Sequence, residues 1–315
     1  MRDSQTLNFR AITMQNRTKY LPIILLLFLI FQGCKTTRIV VIPETERERA
    51  LSAQSEGEHQ EAINSWETYF QLMQSSSGTI LPADYSTAAI SAYHAGNHDL
   101  ALRWFDQARY ADYSNFEMYA TMAAIYRSAD NLSREIFALN FLNDNFSTLA
   151  QQTGVSVRLF EIFSETDPSR AIVLWDDLPY EVKIVETMLD RWFRLNLPGG
   201  DKNLLDSVSL QLIEKNPRHK EALEWQAEKY YRMAEEQYQQ EMQKYNQNRT
   251  HVQYQFLLNS LRDISEVYRR SLRYFEVLWE MDPTPTYAAF ISNIYLRFDD
   301  RERADYFRRL SEPQR

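Results

Sequence analysis

The chain of 315 residues contains one cysteine, seven glycines and no Gly/Ser-rich linker. One thiol excludes an internal disulfide. Scarce glycine argues against an all-β sandwich or barrel, whose many tight turns need it. No apolar run reaches the roughly 20 residues of a membrane-spanning helix; the longest, Leu21 to Phe31, has 11. Excess positive charge is missing too. The formal net charge is -8, and an acidic, sign-mixed surface is a poor match for nucleic acid. Neither a nucleophile elbow nor the His-Glu-x-x-His helix of zinc proteases occurs. What the chain does have is a core-forming composition, 44% hydrophobic and 13% aromatic, which predicts a folded domain and not a disordered one.

The single cysteine, Cys34, directly follows Gly33, three residues past the end of the apolar run at Phe31. Arg17 and Lys19 precede that run, as the basic segment of an export signal does, and Met14 is a plausible start. The stretch Phe31-Gln32-Gly33-Cys34 resembles the lipobox of bacterial lipoproteins, in the looser form found in Bacteroidetes-like bacteria. The resemblance implies cleavage before Cys34, a diacylglycerol thioether on its sulfur and an acylated (palmitate-type) amino terminus. Several acyl chains give stable attachment, since each buried methylene contributes about 0.8 kcal/mol. Lys35-Thr36-Thr37-Arg38 lacks the Asp that would favour inner-membrane retention. The expected location is therefore the outer membrane, facing the periplasm. Residues 1–33 are the expected signal and 34–45 the lipidated tether, with Ile42 extended ahead of Pro43 and the first helix starting at Glu44 to Glu46.

Internal repetition follows. Gly57-Glu58-His59-Gln60-Glu61-Ala62-Ile63 matches Gly96-Asn97-His98-Asp99-Leu100-Ala101-Leu102 in the order and spacing of Gly, His and Ala. Trp66 then matches Phe105, and Ala53 matches Ala92. A third copy aligns Tyr126 with Tyr93 and Ala129 with Gly96. A fourth carries Phe163, Ala171, Ile172, Trp175 and Leu178. Glycine serves a turn, alanine a close helix crossing, and the aromatic fills the groove one turn later. The pattern resembles the tetratricopeptide (TPR) family, whose unit is a pair of antiparallel helices with a period near 34 residues. The family's Trp-Leu-Gly signature is missing, so the copies are degenerate. The resemblance implies an all-α, TPR-like right-handed superhelix, with repeats over 46–215.

Residues 216–315 keep the scheme with changed lengths. Tyr180 to Asn196 is predicted as one helix and Leu204 to Lys215 as its partner. Between the stops Asn216-Pro217 and Asp282-Pro283, apolar residues recur at steps of three and four in two long segments around Gln247-Asn248-Arg249-Thr250. They predict one elongated helical hairpin. A final pair, Tyr287 to Phe298 and Arg301 to Leu310, places Tyr295 and Phe307 where Tyr93 and Phe105 stand.

Candidate chemistry is sparse. His94 and His98 have the four-residue spacing of a helical metal pair, but Gly96 puts a turn between them. His219 and His251 have no neighbouring ligand set in sequence, so no metal or cofactor is predicted. Glu235-Glu236 and the arginine-rich end (Arg297, Arg301, Arg303, Arg308, Arg309) are expected to be solvated, sign-mixed faces. Asp206-Ser207-Val208 resembles a Bacteroidetes O-glycosylation tripeptide. Tyr230, Tyr231, Tyr238 and Tyr245 form a stripe on the hairpin, and Tyr238 and Tyr245 are the candidate partner-binding residues. The expected function is a non-catalytic scaffold or adaptor for envelope proteins, possible components of an outer-membrane assembly or secretion complex, with Cys34 as the lipid anchor. Two alternatives stay open. One is a cell-wall (peptidoglycan) enzyme or its regulator, although no Glu-Ser dipeptide of the lytic transglycosylases occurs. The other is a lipid or glycan carrier with its cargo in the superhelix groove.

Overall fold

The computed structural model describes residues 42–312, which form sixteen helices and no strand. The apolar run, Cys34 and the tether before residue 42 lie outside the described residues. No helix among the described residues is long and apolar enough to cross a membrane. Two compact units divide between Tyr113 and Ser114.

The first unit holds two antiparallel pairs: α1 (Pro43–Ser55) with α2 (His59–Ser75), and α3 (Pro82–His94) with α4 (His98–Tyr110). Ile42 is extended, as Pro43 requires, and Pro43 itself opens the helix. A first-turn N–H needs no partner within the helix, so proline fits there. Gly57 (φ 81°) and Gly96 (φ 79°) take the left-handed conformation at the pair turns. At each, two backbone bonds close the helix end in the Schellman pattern. Glu58 N–H donates to Ala53 O (2.8 Å) and Gly57 N–H to Gln54 O (3.1 Å); Asn97 N–H donates to Ala92 O (2.8 Å) and Gly96 N–H to Tyr93 O (2.9 Å).

The second unit begins with α5 (Phe116–Ser128), α6 (Leu132–Asn145), α7 (Ser147–Gln152), α8 (Val155–Thr166) and α9 (Pro168–Trp175). The same turn recurs here without glycine. Asp130 (φ 51°) and Asp299 (φ 56°) hold the left-handed position, which aspartate reaches more readily than other residues with a Cβ. Asn131 N–H donates to Tyr126 O at 2.9 Å. Tyr126 therefore stands where Ala92 stands, and Asp130 where Gly96 stands. The expected alignment of Tyr126 with Tyr93 is off by one residue. Asp300 N–H donates to Tyr295 O at 3.0 Å, so Tyr295 also answers Ala92. Ala304, 1% exposed, then answers Ala101. With no glycine to mark the turn, the sequence pattern offered nothing to fix that register.

The helix predicted for Tyr180 to Asn196 is two helices, α10 (Tyr180–Lys183) and α11 (Glu186–Asn196). Val185 between them is extended, with ψ 137°. Val182, Ile184 and Val185 are β-branched, and their stiff side chains disfavour helix. Next come α12 (Lys202–Lys215), α13 (Lys220–Gln247), α14 (His251–Met281), α15 (Pro285–Arg297) and α16 (Arg301–Ser311). α13 and α14 are the expected elongated hairpin. At 1.5 Å per residue they run about 42 and about 46 Å. The final pair packs on the hairpin base, where Tyr287, Ile291 and Tyr295 share one core with Leu272, Phe275 and Leu278. The protein is all-α, built of TPR-like antiparallel helix pairs.

Candidate functional site

Small residues shape a groove in the second unit. On α5, Phe116, Ala120, Ala124 and Arg127 recur at steps of four, four and three, so they share one helix face. Leu139 and Leu142 of α6 form the floor, and Gly154, Val155 and Arg158 form the far rim. The cavity measures about 610 Å³. Alanine at positions 120 and 124 leaves room that larger side chains would fill.

Two cations border this groove, and they differ. Arg158 reaches inward to Glu135, which is 3% exposed. Its Nε lies 2.8 Å from Oε1 and its Nη2 3.2 Å from Oε2. The hydrogen bonds to Glu135 raise the Arg158 pKa beyond its usual value. Glu135 occupies the repeat position of Ala62 and Ala101, five residues after the left-handed turn residue. A charged side chain thus replaces the small one at the helix crossing, and Arg158 neutralises it. Arg127 is exposed at the groove edge and has no carboxylate partner among the described residues. Such a site presents small apolar walls and one available cation, which suits an extended acidic segment.

A second recess of about 570 Å³ lies beside Ser164, Glu165, Arg191 and Arg194. Its cations are already engaged: Arg191 with Glu165 at 2.6 Å, and Arg194 with Asp190 at 2.9 Å and Glu221 at 2.8 Å. Near it stands the one group among the described residues with metal-ligand character, Asp190, His219 and Glu221. Glu221 stands two residues from His219 in sequence, and folding brings Asp190 to them from 29 positions away. The arrangement is nevertheless a helix cap. His219 Nδ1 accepts the Ala222 backbone N–H at 3.3 Å, which leaves Nε2 to donate to Asp190 at 3.0 Å. Arg194 already supplies the positive charge between the two carboxylates.

The other singled-out residues have packing roles. His94 stacks on His59 (centroids 4.9 Å) and His98 on Tyr93 (5.6 Å), with Gly96 turning the chain between them. Asp206, in the glycosylation-like tripeptide, accepts from Trp225 Nε1 at 2.8 Å and pairs with Lys229 at 2.6 Å. Glu235 is not the solvated residue expected. It accepts from the Tyr268 hydroxyl (2.5 Å) and from Arg297 (2.7 Å), tying α13 to α14 and α15. Glu236 beside it is exposed. Tyr230 stacks with Tyr274, and Tyr231 meets Tyr268 and Phe290 edge-on. Tyr238 is half-buried under the Arg297 guanidinium, 4.0 Å from its ring centre. Tyr245, near the hairpin end, lies 5.9 Å from Tyr254. Arg127 and Arg158 escaped the sequence reading. The signal for Arg158 was Glu135 at an alanine position, visible only in the corrected register.

No protein-family model matches the sequence, and no curated protein matches it. Several solved structures are similar in fold. One is the C-terminal part of a TPR repeat-containing protein from Cytophaga hutchinsonii, 13% identical over 84% of this chain and 93% of that one, TM-score 0.38. Another is a tetratricopeptide repeat protein from Parabacteroides merdae, 14% identical over 86% and 94%, TM-score 0.40. A third is a TPR repeats protein from Bacteroides fragilis, 10% identical over 85% and 99%, TM-score 0.31. Likeness at this distance says nothing of partners or activity.

Proposed function

We propose that this protein is a non-catalytic scaffold, moored through acylated Cys34 to the periplasmic face of the outer membrane, that holds an envelope protein by an extended acidic segment. The observation that carries the reading is Arg127, an exposed cation without a carboxylate partner among the described residues, at the edge of an alanine-walled groove of about 610 Å³. Stacked helix pairs present such grooves with a preformed backbone, so binding orders little of the scaffold itself. Arg158 adds no net charge, since it neutralises Glu135, which lines the same groove. Confinement to a membrane plane would raise the effective concentration of a partner in the same membrane.

Two experiments test this. Crosslinking and purification from membranes, with intact protein beside an Arg127→Glu variant, should show one dominant envelope partner lost from the variant. An unchanged partner set would refute the groove. A Cys34→Ala variant should move to the soluble fraction and carry no acyl mass; continued membrane retention with acyl chains present would refute the anchor.

A further inference from the structure

The end of the α13–α14 hairpin holds the longest carboxylate-free stretch among the described residues. From Met242 to Arg262 there is no Asp or Glu, while Lys244, Arg249 and Arg262 are cationic. Over the rest of the described residues carboxylates outnumber Lys and Arg. The same stretch leaves large apolar side chains in solvent: Val252 is 61% exposed, Phe256 58%, Tyr254 43% and Leu258 41%.

Their placement around α14 is specific. At about 100° per residue, Val252 and Phe256 fall together on one flank and Tyr254 and Leu258 on the other, with Gln255 and Arg262 about midway between. Leu257, 5% exposed, points the opposite way, toward α13. The outward half of the helix is therefore apolar at both edges and cationic and amide-bearing along its middle. A helix lying on lipid needs the reverse, apolar in the middle with cations at the edges. A groove in a protein fits instead: walls cover the two apolar flanks, and a floor supplies acceptors to Gln255 and Arg262. The one carboxylate that reaches this level, Glu241 of α13, is held by Lys244 and Ser260, and α14 itself carries none before Asp263, so the outward face calls for an acidic floor.

We propose that the first three turns of α14 dock as a helical ligand into a protein groove with apolar walls and an acidic floor. This contact is separate from the groove beside Arg127 and does not depend on it.

The test uses the full chain in cells that make it, with photoreactive benzoylphenylalanine replacing Phe256 or Gln255, and Val173 (72% exposed) as control. Both hairpin positions should yield an adduct with the same second protein, and Val173 none. Peptide mapping should place the adduct from position 255 beside Asp or Glu in the partner. Arg262→Glu should lower the yield by about tenfold, as charge reversal against an acidic surface requires. Arg127→Glu should leave it unchanged. All replaced residues are exposed, and unaltered circular dichroism will show that the variants fold. The proposal is overturned by no adduct, by an adduct with lipid or with a second copy of this chain, by a floor without carboxylates, or by indifference to Arg262→Glu.

Discussion

Arg158 lies against both carboxylate oxygens of Glu135, a pairing that joins α8 to α6 at a point where the other repeats bring helices together over alanine. Glu135 is almost fully buried, whereas Arg158 keeps 28% of its side chain in solvent. Removing the arginine strands a buried charge; removing the glutamate frees an arginine that water can reach. Arg158→Ala should therefore cost about 3 kcal/mol, and Glu135→Ala less. The double variant should be more stable than Arg158→Ala alone. Urea denaturation of the four proteins measures this, and equal losses in the two single variants would contradict it.

Gly96 offers a test of the turn. A Cβ placed there meets nothing within 4 Å, so only the backbone resists substitution. Gly96→Ala should cost about 1 kcal/mol, as the left-handed conformation does for L-residues. Gly96→Asn should cost less, since asparagine tolerates that region and aspartate already occupies it at positions 130 and 299. Thermal melts of both variants should rank them in that order.

Trp66 is fully buried, yet its indole N–H has no hydrogen-bond partner among the described residues. The equivalent position in the next repeat is Phe105, also fully buried. Trp66→Phe loses volume but relieves an unsatisfied donor. Its net cost should stay below about 1.5 kcal/mol, while Phe105→Ala should cost about 3–5 kcal/mol. Chemical denaturation would disprove the reasoning if Trp66→Phe were as damaging as Phe105→Ala.

Acid should weaken the hairpin base. Burial pushes the Glu235 carboxyl up, but hydrogen bonds from Tyr268, Gln239 and Arg297 outweigh it and hold the pKa below the ordinary 4.5. A carboxylate with a depressed folded-state pKa stabilises the fold above its unfolded value, and that contribution is lost as pH falls through the folded value. Melting temperature should fall as pH drops below about 4.5, and Glu235→Gln should flatten that dependence. A variant with the same acid-side slope as the parent would exclude Glu235 as a source.

Much of this was legible because it depends on local spacing. Gly57, Gly96, Ala62 and Ala101 announce a turn and a close crossing through their own conformational freedom and size. The apolar steps from Ala227 to Trp279 announce long helices. Other features depend on partners distant in sequence. Glu235 looked like half of a solvated acidic pair because Tyr268 and Arg297 lie 33 and 62 positions away. His219 looked isolated because Asp190 is 29 positions away. The break at Val185 was missed because apolar periodicity continues through it while β-branching works against it.

From its sequence alone, this protein was bound to be helical, paired and acidic, since periodicity, turn residues and net charge are properties of the chain itself. Tertiary structure alone decided which charges are spent and which are available. Arg158, Arg194 and Arg297 are held by carboxylates from other helices, while Arg127 is left at a groove edge without one among the described residues. The physical reason is that the electrostatic interaction of two side chains depends on their distance and burial, which are set by packing between helices and not by order along the chain.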